Sequence, residues 1–183
     1  MEHSKLINNI SERVVDDIKG RLSKGTFVSI AAASFSIYAY EALKEELEQV
    51  EQLRFIFTSP TFIKDKSKKE KREFFIPKLN RERNLYGTDF ELRLRNQLSQ
   101  KAIAKECADW IRRKVQFRSN ASQEQMGGFM HVNNETQRVY LPFNEFTTTQ
   151  LGCERGANVY NVVNVLPSPT ANAYLEIFNE QWN

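Results

Sequence analysis

Two almost unbroken apolar runs, TFVSIAAASFS over residues 26–36 and LRFIFTS over residues 53–59, bracket the segment IYAYEALKEELEQVEQ. Runs rich in β-branched and aromatic residues suit strands buried on both faces, and the small Ser and Ala side chains of the first let covering helices approach closely. Between them, Leu43, Leu47 and Val50 fall at helical spacing. A helix joining two buried strands sets them parallel through a right-handed crossover, which predicts an α/β domain.

The flanking segments extend this pattern. Over residues 5–23, Leu6, Ile10, Val14, Ile18 and Leu22 lie four apart, the stripe of an amphipathic helix that Gly25 ends. After the second strand, Pro60, Pro77, Gly87 and a dense basic run predict a long exposed loop over about residues 60–87, with one short strand around REFFIP. Thr88 and Glu91 then form a capping box for a helix to about Lys114, whose apolar face carries Phe90, Leu94, Leu98, Ala102, Ile103, Cys107, Trp110 and Ile111. On that face Trp110 reads as core. VQFRSN, GGFMHVN, RVYLPF and NVYNVVNVL read as strands, FTTTQL as a turn or short helix, and SPTANAYLEIFNEQWN as a last helix capped by Ser168 or Thr170. In that helix Tyr174, Ile177 and Phe178 share a face, and Trp182 closes it onto the sheet. The expectation is a mixed, largely parallel central sheet with helices on both faces, formed by residues 24–183, with an N-terminal helix at 1–23 packed on it.

Composition narrows the function. A chain of 183 residues, 40% hydrophobic and 27% charged, has the balance of a globular protein with one real core. The longest mostly apolar stretch, FVSIAAASFSIYAY, is too short and too rich in Ser and Ala to span a bilayer, and MEHSKLINNISERVV lacks an export signal, so a cytoplasmic protein without a membrane partner is expected. Cys107 and Cys153 form no paired motif, and His3 and His131 are the only histidines, so no metal site is expected. No phosphate-binding G-x-x-x-x-G-K-[ST] loop occurs. The net charge of +3 is unevenly spread: residues 1–63 carry 7 basic and 9 acidic side chains, residues 64–118 carry 17 and 8, and residues 119–183 carry 2 and 6. The middle third is where a polyanion would bind. Its candidate contacts in the loop are Lys66, Lys68, Lys69, Lys71, Arg72, Arg81 and Arg83; those beyond it are Arg93, Lys101, Lys105, Arg112, Arg113 and Arg118.

His131 sits in GGFMHVNNETQRVYLPFNEFTTTQLG. The order strand, helix, strand, long helix, His-bearing strand and Thr-rich turn resembles one half of the phospholipase D-like superfamily, whose signature is H-x-K-x4-D followed by an asparagine in a turn. The stretches from Lys24 onward, KGTFVSIAAASFSIYAYEALKEELEQVEQLRFIFTSPTF among them, are similar to the amino-terminal phospholipase D-like domain found ahead of bacterial superfamily-two helicase motors. The resemblance implies a phosphodiesterase fold in which His131 is the nucleophile position. Asn133 stands where the lysine belongs, Arg138 where the aspartate belongs and Glu145 where the asparagine belongs, with Asn144 beside it. Phosphoryl transfer needs fixed cations and donors around the phosphate oxygens, and a carboxylate in their place repels the anion. The resemblance therefore implies a non-catalytic accessory domain that contacts DNA, needs no cofactor itself, and belongs to a polypeptide whose downstream motor binds ATP and magnesium. Two alternatives stand beside it: a homodimeric phosphodiesterase that pairs two copies of His131, and an assembly domain with Phe143 and Phe146 at an interface.

Overall fold

The computed structural model describes residues 3–58, 90–120, 126–153 and 162–183, with backbone alone for 90–100. Seven strands form one sheet: β1 (Lys5–Ile7), β2 (Phe27–Ala32), β3 (Gln52–Phe57), β4 (Val115–Ser119), β5 (Phe129–Asn133), β6 (Gln137–Leu141) and β7 (Val163–Pro167). Four helices are described: α1 (Val14–Lys19), α2 (Ile37–Leu47), α3 (Phe90–Lys114) and α4 (Thr170–Trp182). The sheet order is β1-β7-β6-β5-β2-β3-β4.

The expected β-α-β unit forms. β2 and β3 pair in parallel from Phe27 opposite Gln52 to Ala32 opposite Phe57, and the Ser36 hydroxyl caps α2 by accepting from the Tyr38 N–H. β4 joins β3, also in parallel. The sheet is mixed but not largely parallel, because the other four pairings are antiparallel. A parallel neighbour needs a crossover of a dozen residues or more. β5 and β6 are instead joined by a tight turn in which the Asn134 N–H donates to Thr136, a connection that can only reverse the chain.

Helices cover both faces. On one, Val14, Val15 and Ile18 of α1, Leu43 and Leu47 of α2, and Cys107 and Trp110 of α3 pack on Val28, Ile30, Phe55, Met130 and Val163. Phe35 lies at the centre of this core, with its ring 5.0 Å from Phe146, 5.7 Å from Phe55 and 5.6 Å from Phe117. On the other face α4 lays Ala171, Phe178 and Trp182 against Ala31, Ile56, Phe129 and Val139. The strands alternate between these two cores with the period of two that a pleated strand imposes.

Two helix ends differ from the reading of the sequence. Residues 5–7 are not helical; they form the edge strand β1, with Ile7 buried and Leu6 61% exposed. Asn8 Oδ1 accepts from the N–H groups of Ile10 and Ser11, and Asn9 takes a left-handed φ of 59°, so the chain turns before α1 starts at Val14. The four-residue stripe therefore mixes strand and helix, and only Val14, Ile18 and Leu22 are buried. At α4, Pro169 occupies the cap position, while the Ser168 hydroxyl bonds Asn172. The loop at about 60–87, its REFFIP strand and Thr88 of the capping box lie outside the described residues.

Candidate functional site

β5 places His131 opposite Ser29 of β2 and Val139 of β6, at the middle of the sheet. Its ring points to the face that α4 covers, and the residue is fully buried. Nε2 donates to Gln137 Oε1 at 3.0 Å. Nδ1 has no hydrogen-bond partner among the described residues, and the Ala171 backbone of α4 lies close to the ring. Across β2, on the same face, the Arg54 guanidinium donates to Ser29 Oγ at 3.2 Å and to Asn179 Oδ1 of α4 at 2.9 Å, and it lies over the rings of Phe178 and Trp182. This is a polar layer between sheet and helix, with His131 and Ser29 buried and Arg54, Gln137 and Asn179 partly exposed at its margin. With α4 docked, a phosphodiester has no path to the imidazole.

Burial holds the His131 ring below the usual histidine range, Arg54 adds to the shift, and the Gln137 bond opposes it. A histidine with a depressed folded pKa stabilises the fold fully above its unfolded value of about 6.5, and that contribution is lost as pH falls from there toward the folded pKa. Urea midpoints should therefore drop between pH 7.5 and pH 5 in the wild type. His131→Leu, which has no proton to take up, should show a smaller drop over that interval; equal drops would mean that His131 is not the group responsible.

The positions that the family resemblance aligns do not converge. Asn133 lies opposite Phe27, at the start of β2. The Glu145 turn sits past the other end of that strand, where the Asn144 carbonyl accepts from Ala33 and the Phe146 N–H donates to Ser34. Six residues of strand separate the two levels, about 20 Å at the usual rise. The turn itself is built for closure: Thr147 Oγ1 accepts from the Gln150 N–H, the Leu151 N–H returns to the Thr147 carbonyl, and the Leu151 carbonyl accepts from Val15 of α1. Gly152 follows with a φ of +81°, and a Cβ there would come within 2.3 Å of Asn9 Oδ1. Arg138, at the aspartate position, is buried on the opposite face of the sheet from His131. Phe143 and Phe146 are fully buried core residues, so they offer no interface.

The basic candidates divide into tethered and exposed groups. Arg113 makes a two-pronged ion pair with Glu48, and Lys114 donates to the Glu48 and Val50 carbonyls; together they fasten the end of α3 to the end of α2. The Glu48 carboxyl is correspondingly held below its ordinary range by Arg113. Arg118 stacks on Trp182 at 4.5 Å and donates to its carbonyl. Lys101, Lys105 and Arg112 are exposed on α3, with Arg112 bonded locally to Asp109 at 2.8 Å. Arg93 lies in α3, its side chain outside the described residues, and Lys66, Lys68, Lys69, Lys71, Arg72, Arg81 and Arg83 lie outside them altogether.

The reading of the sequence missed two polar clusters. Arg54 was legible in principle, as the one charge inside an apolar strand, where alternation sets it on the face opposite Leu53, Phe55 and Phe57. The second centres on Asp17, which accepts from Lys5, Arg21 and Tyr140. Among the described residues, no three His, Cys, Asp or Glu side chains are grouped as a metal site requires, and no helix is long and apolar enough to cross a membrane. No protein-family model matches the chain, and no curated protein matches it.

Proposed function

We propose that this chain is a phospholipase D-like α/β domain that contacts DNA without cleaving it, an accessory unit of a bacterial helicase whose ATP- and magnesium-binding motor lies elsewhere in the polypeptide. One observation carries the non-catalytic half of this reading: the histidine that would attack phosphorus is fully buried under α4. The residues at the phosphate-binding positions agree, since Asn133 and Glu145 bring no cation and lie at opposite ends of β2. The DNA-contacting half is supported by the +9 balance of residues 64–118 and by the exposed cations of α3, which can release counterions from a duplex. The helicase setting follows from the sequence resemblance alone.

The test is duplex affinity as a function of salt, wild type against the combined Lys101→Glu, Lys105→Glu and Arg112→Glu variant. These three are chosen because reversing Arg113 or Arg118 would also break contacts that hold α3 and α4 in place. The wild type should weaken steeply with salt and show little sequence preference. The variant should bind at least about tenfold more weakly, with a log–log slope shallower by about 2 to 3. His131→Leu should bind as the wild type does. A flat salt profile, or a triple variant that binds normally, ends the DNA-contacting reading; DNA cleavage that disappears in His131→Leu ends the non-catalytic one.

A further inference from the structure

A cleft of about 450 Å³ opens between the sheet edge and α4, at the carboxyl ends of the parallel strands β2, β3 and β4. β2 is the point where the sheet changes sense, with parallel β3 on one side and antiparallel β5 on the other. Open α/β sheets bind ligands in crevices beyond the carboxyl ends of their parallel strands. The volume also lies in the range of small-molecule sites.

The chemistry of the walls is specific. Asn120 just past β4, Gly127 just before β5 and Asn144 just past β6 form one side; Tyr174, Ile177 and Gln181 of α4 form the other. Among the described residues, no lining side chain carries a charge. The exposed carboxamides of Asn144 and Gln181 supply both donors and acceptors, which suits a neutral group with an alternating hydrogen-bonding edge. The half-buried Tyr174 ring, set edge-on to Phe129 at 5.0 Å, adds an aromatic surface for a flat partner. A cation lies close by in the chain: Arg118, two residues before Asn120, stacks on Trp182, the neighbour of Gln181.

We propose that this cleft takes one unstacked nucleotide, with its base among the carboxamides and Tyr174 and its phosphate against Arg118. The choice of a nucleobase over another neutral planar group rests on the DNA-contacting reading above. The cleft and α3 are separate surfaces, so the two proposals fail separately.

Amide chemical-shift titration with adenosine and thymidine, and with their 5′-monophosphates, tests the site. Shifts should centre on Gly127, Gly128 and Asn144, and the monophosphates should bind about fivefold more tightly, the worth of one exposed ion pair. Gly127→Leu fills the cleft at a position where a Cβ meets no heavy atom of the described residues within 4 Å, so the fold should survive while nucleoside binding falls by about tenfold or more. Arg118→Gln should abolish the advantage of the monophosphates, read as the ratio of monophosphate to nucleoside affinity because Arg118 also holds α4, with thermal melts to check that α4 stays docked. Absent shifts, shifts elsewhere, or a Gly127→Leu protein that binds normally overturn the proposal; should that variant not fold, the location of the wild-type shifts decides. Nucleosides that bind to a protein with no affinity for duplexes would leave the cleft standing and remove the surface reading.

Discussion

Trp110→Ala should destabilise the protein by about 4 kcal/mol, the middle of the range for emptying a fully buried aromatic site, and lower the melting temperature by about 10 °C for a chain of this size. The indole is completely buried, 5.1 Å from the Tyr40 ring and stacked on Phe35 at 6.5 Å. Its Nε1–H donates to the Leu47 carbonyl at 3.0 Å, and Leu47 is the last residue of α2. Removal leaves a cavity and an orphaned helix-end carbonyl together. Trp110→Phe separates the two costs: it keeps most of the packing and leaves the carbonyl unpaired, for about 1–2 kcal/mol. Urea unfolding followed by far-UV circular dichroism reads both; equal losses for the two variants would assign the whole effect to the hydrogen bond. The consequence for function is direct. Trp110 and the Arg113–Glu48 pair are what orient α3, so under the proposed reading Trp110→Ala should also weaken duplex binding below its own melting temperature.

Trp110 was legible because it lies on a stripe of period 3.6, and that logic recovered α2, α3 and α4 as well as the apolar strands β2 and β3. Periodicity reports burial along one element. It does not report the direction from which the next element arrives, which is why the first β-α-β unit is readable and the antiparallel return through β5, β6 and β7 is not. The N-terminus shows a second limit. Spacing by four satisfies a helix, yet Ile7, the one fully buried residue of the three, is enough to seat a short edge strand against Val163 and Val165, and the Asn8–Asn9 pair then turns the chain.

The histidine exposes a third limit. A ring in a strand flanked by Met130 and Val132 is placed on one face or the other by alternation, but whether that face meets solvent depends on α4, some 40 residues later in the chain. Phe178 and Trp182 make α4 amphipathic, and pairing that stripe with the open face of β5 was the step the sequence permitted and periodicity alone did not compel. Arg54 offered the missing hint, since a cation inside an apolar strand requires partners, and Ser29 and Asn179 supply them.

Asp17→Asn should cost about 3 kcal/mol, toward the lower end for breaking a buried ion pair, because Lys5 and Arg21 can recover water at the rim. The carboxylate is 7% exposed and takes Lys5 Nζ at 2.6 Å, Arg21 Nε at 3.1 Å and the Tyr140 hydroxyl at 2.6 Å. An ionised carboxyl only accepts, so three converging donors suit it; an amide offers one oxygen and turns two further donors toward them. Tyr140 is fully buried and would keep its hydroxyl without an acceptor. Burial alone would raise the Asp17 pKa, but the bonds from Lys5, Tyr140 and Arg21 outweigh it and hold the group below its ordinary value. A carboxyl with a depressed folded pKa contributes its full stability above the unfolded value of about 3.9 and loses it as pH falls through the folded pKa. The gap between wild type and Asp17→Asn should therefore be widest near neutrality and narrow as the solution is acidified below about pH 4. Because Tyr140→Phe removes the donor that Asp17→Asn strands, the double variant should lose less than the sum of the two single losses. Strict additivity in guanidinium unfolding, or a gap that does not change with acid, would show that β1, α1 and β6 are held together by packing and not by this carboxylate.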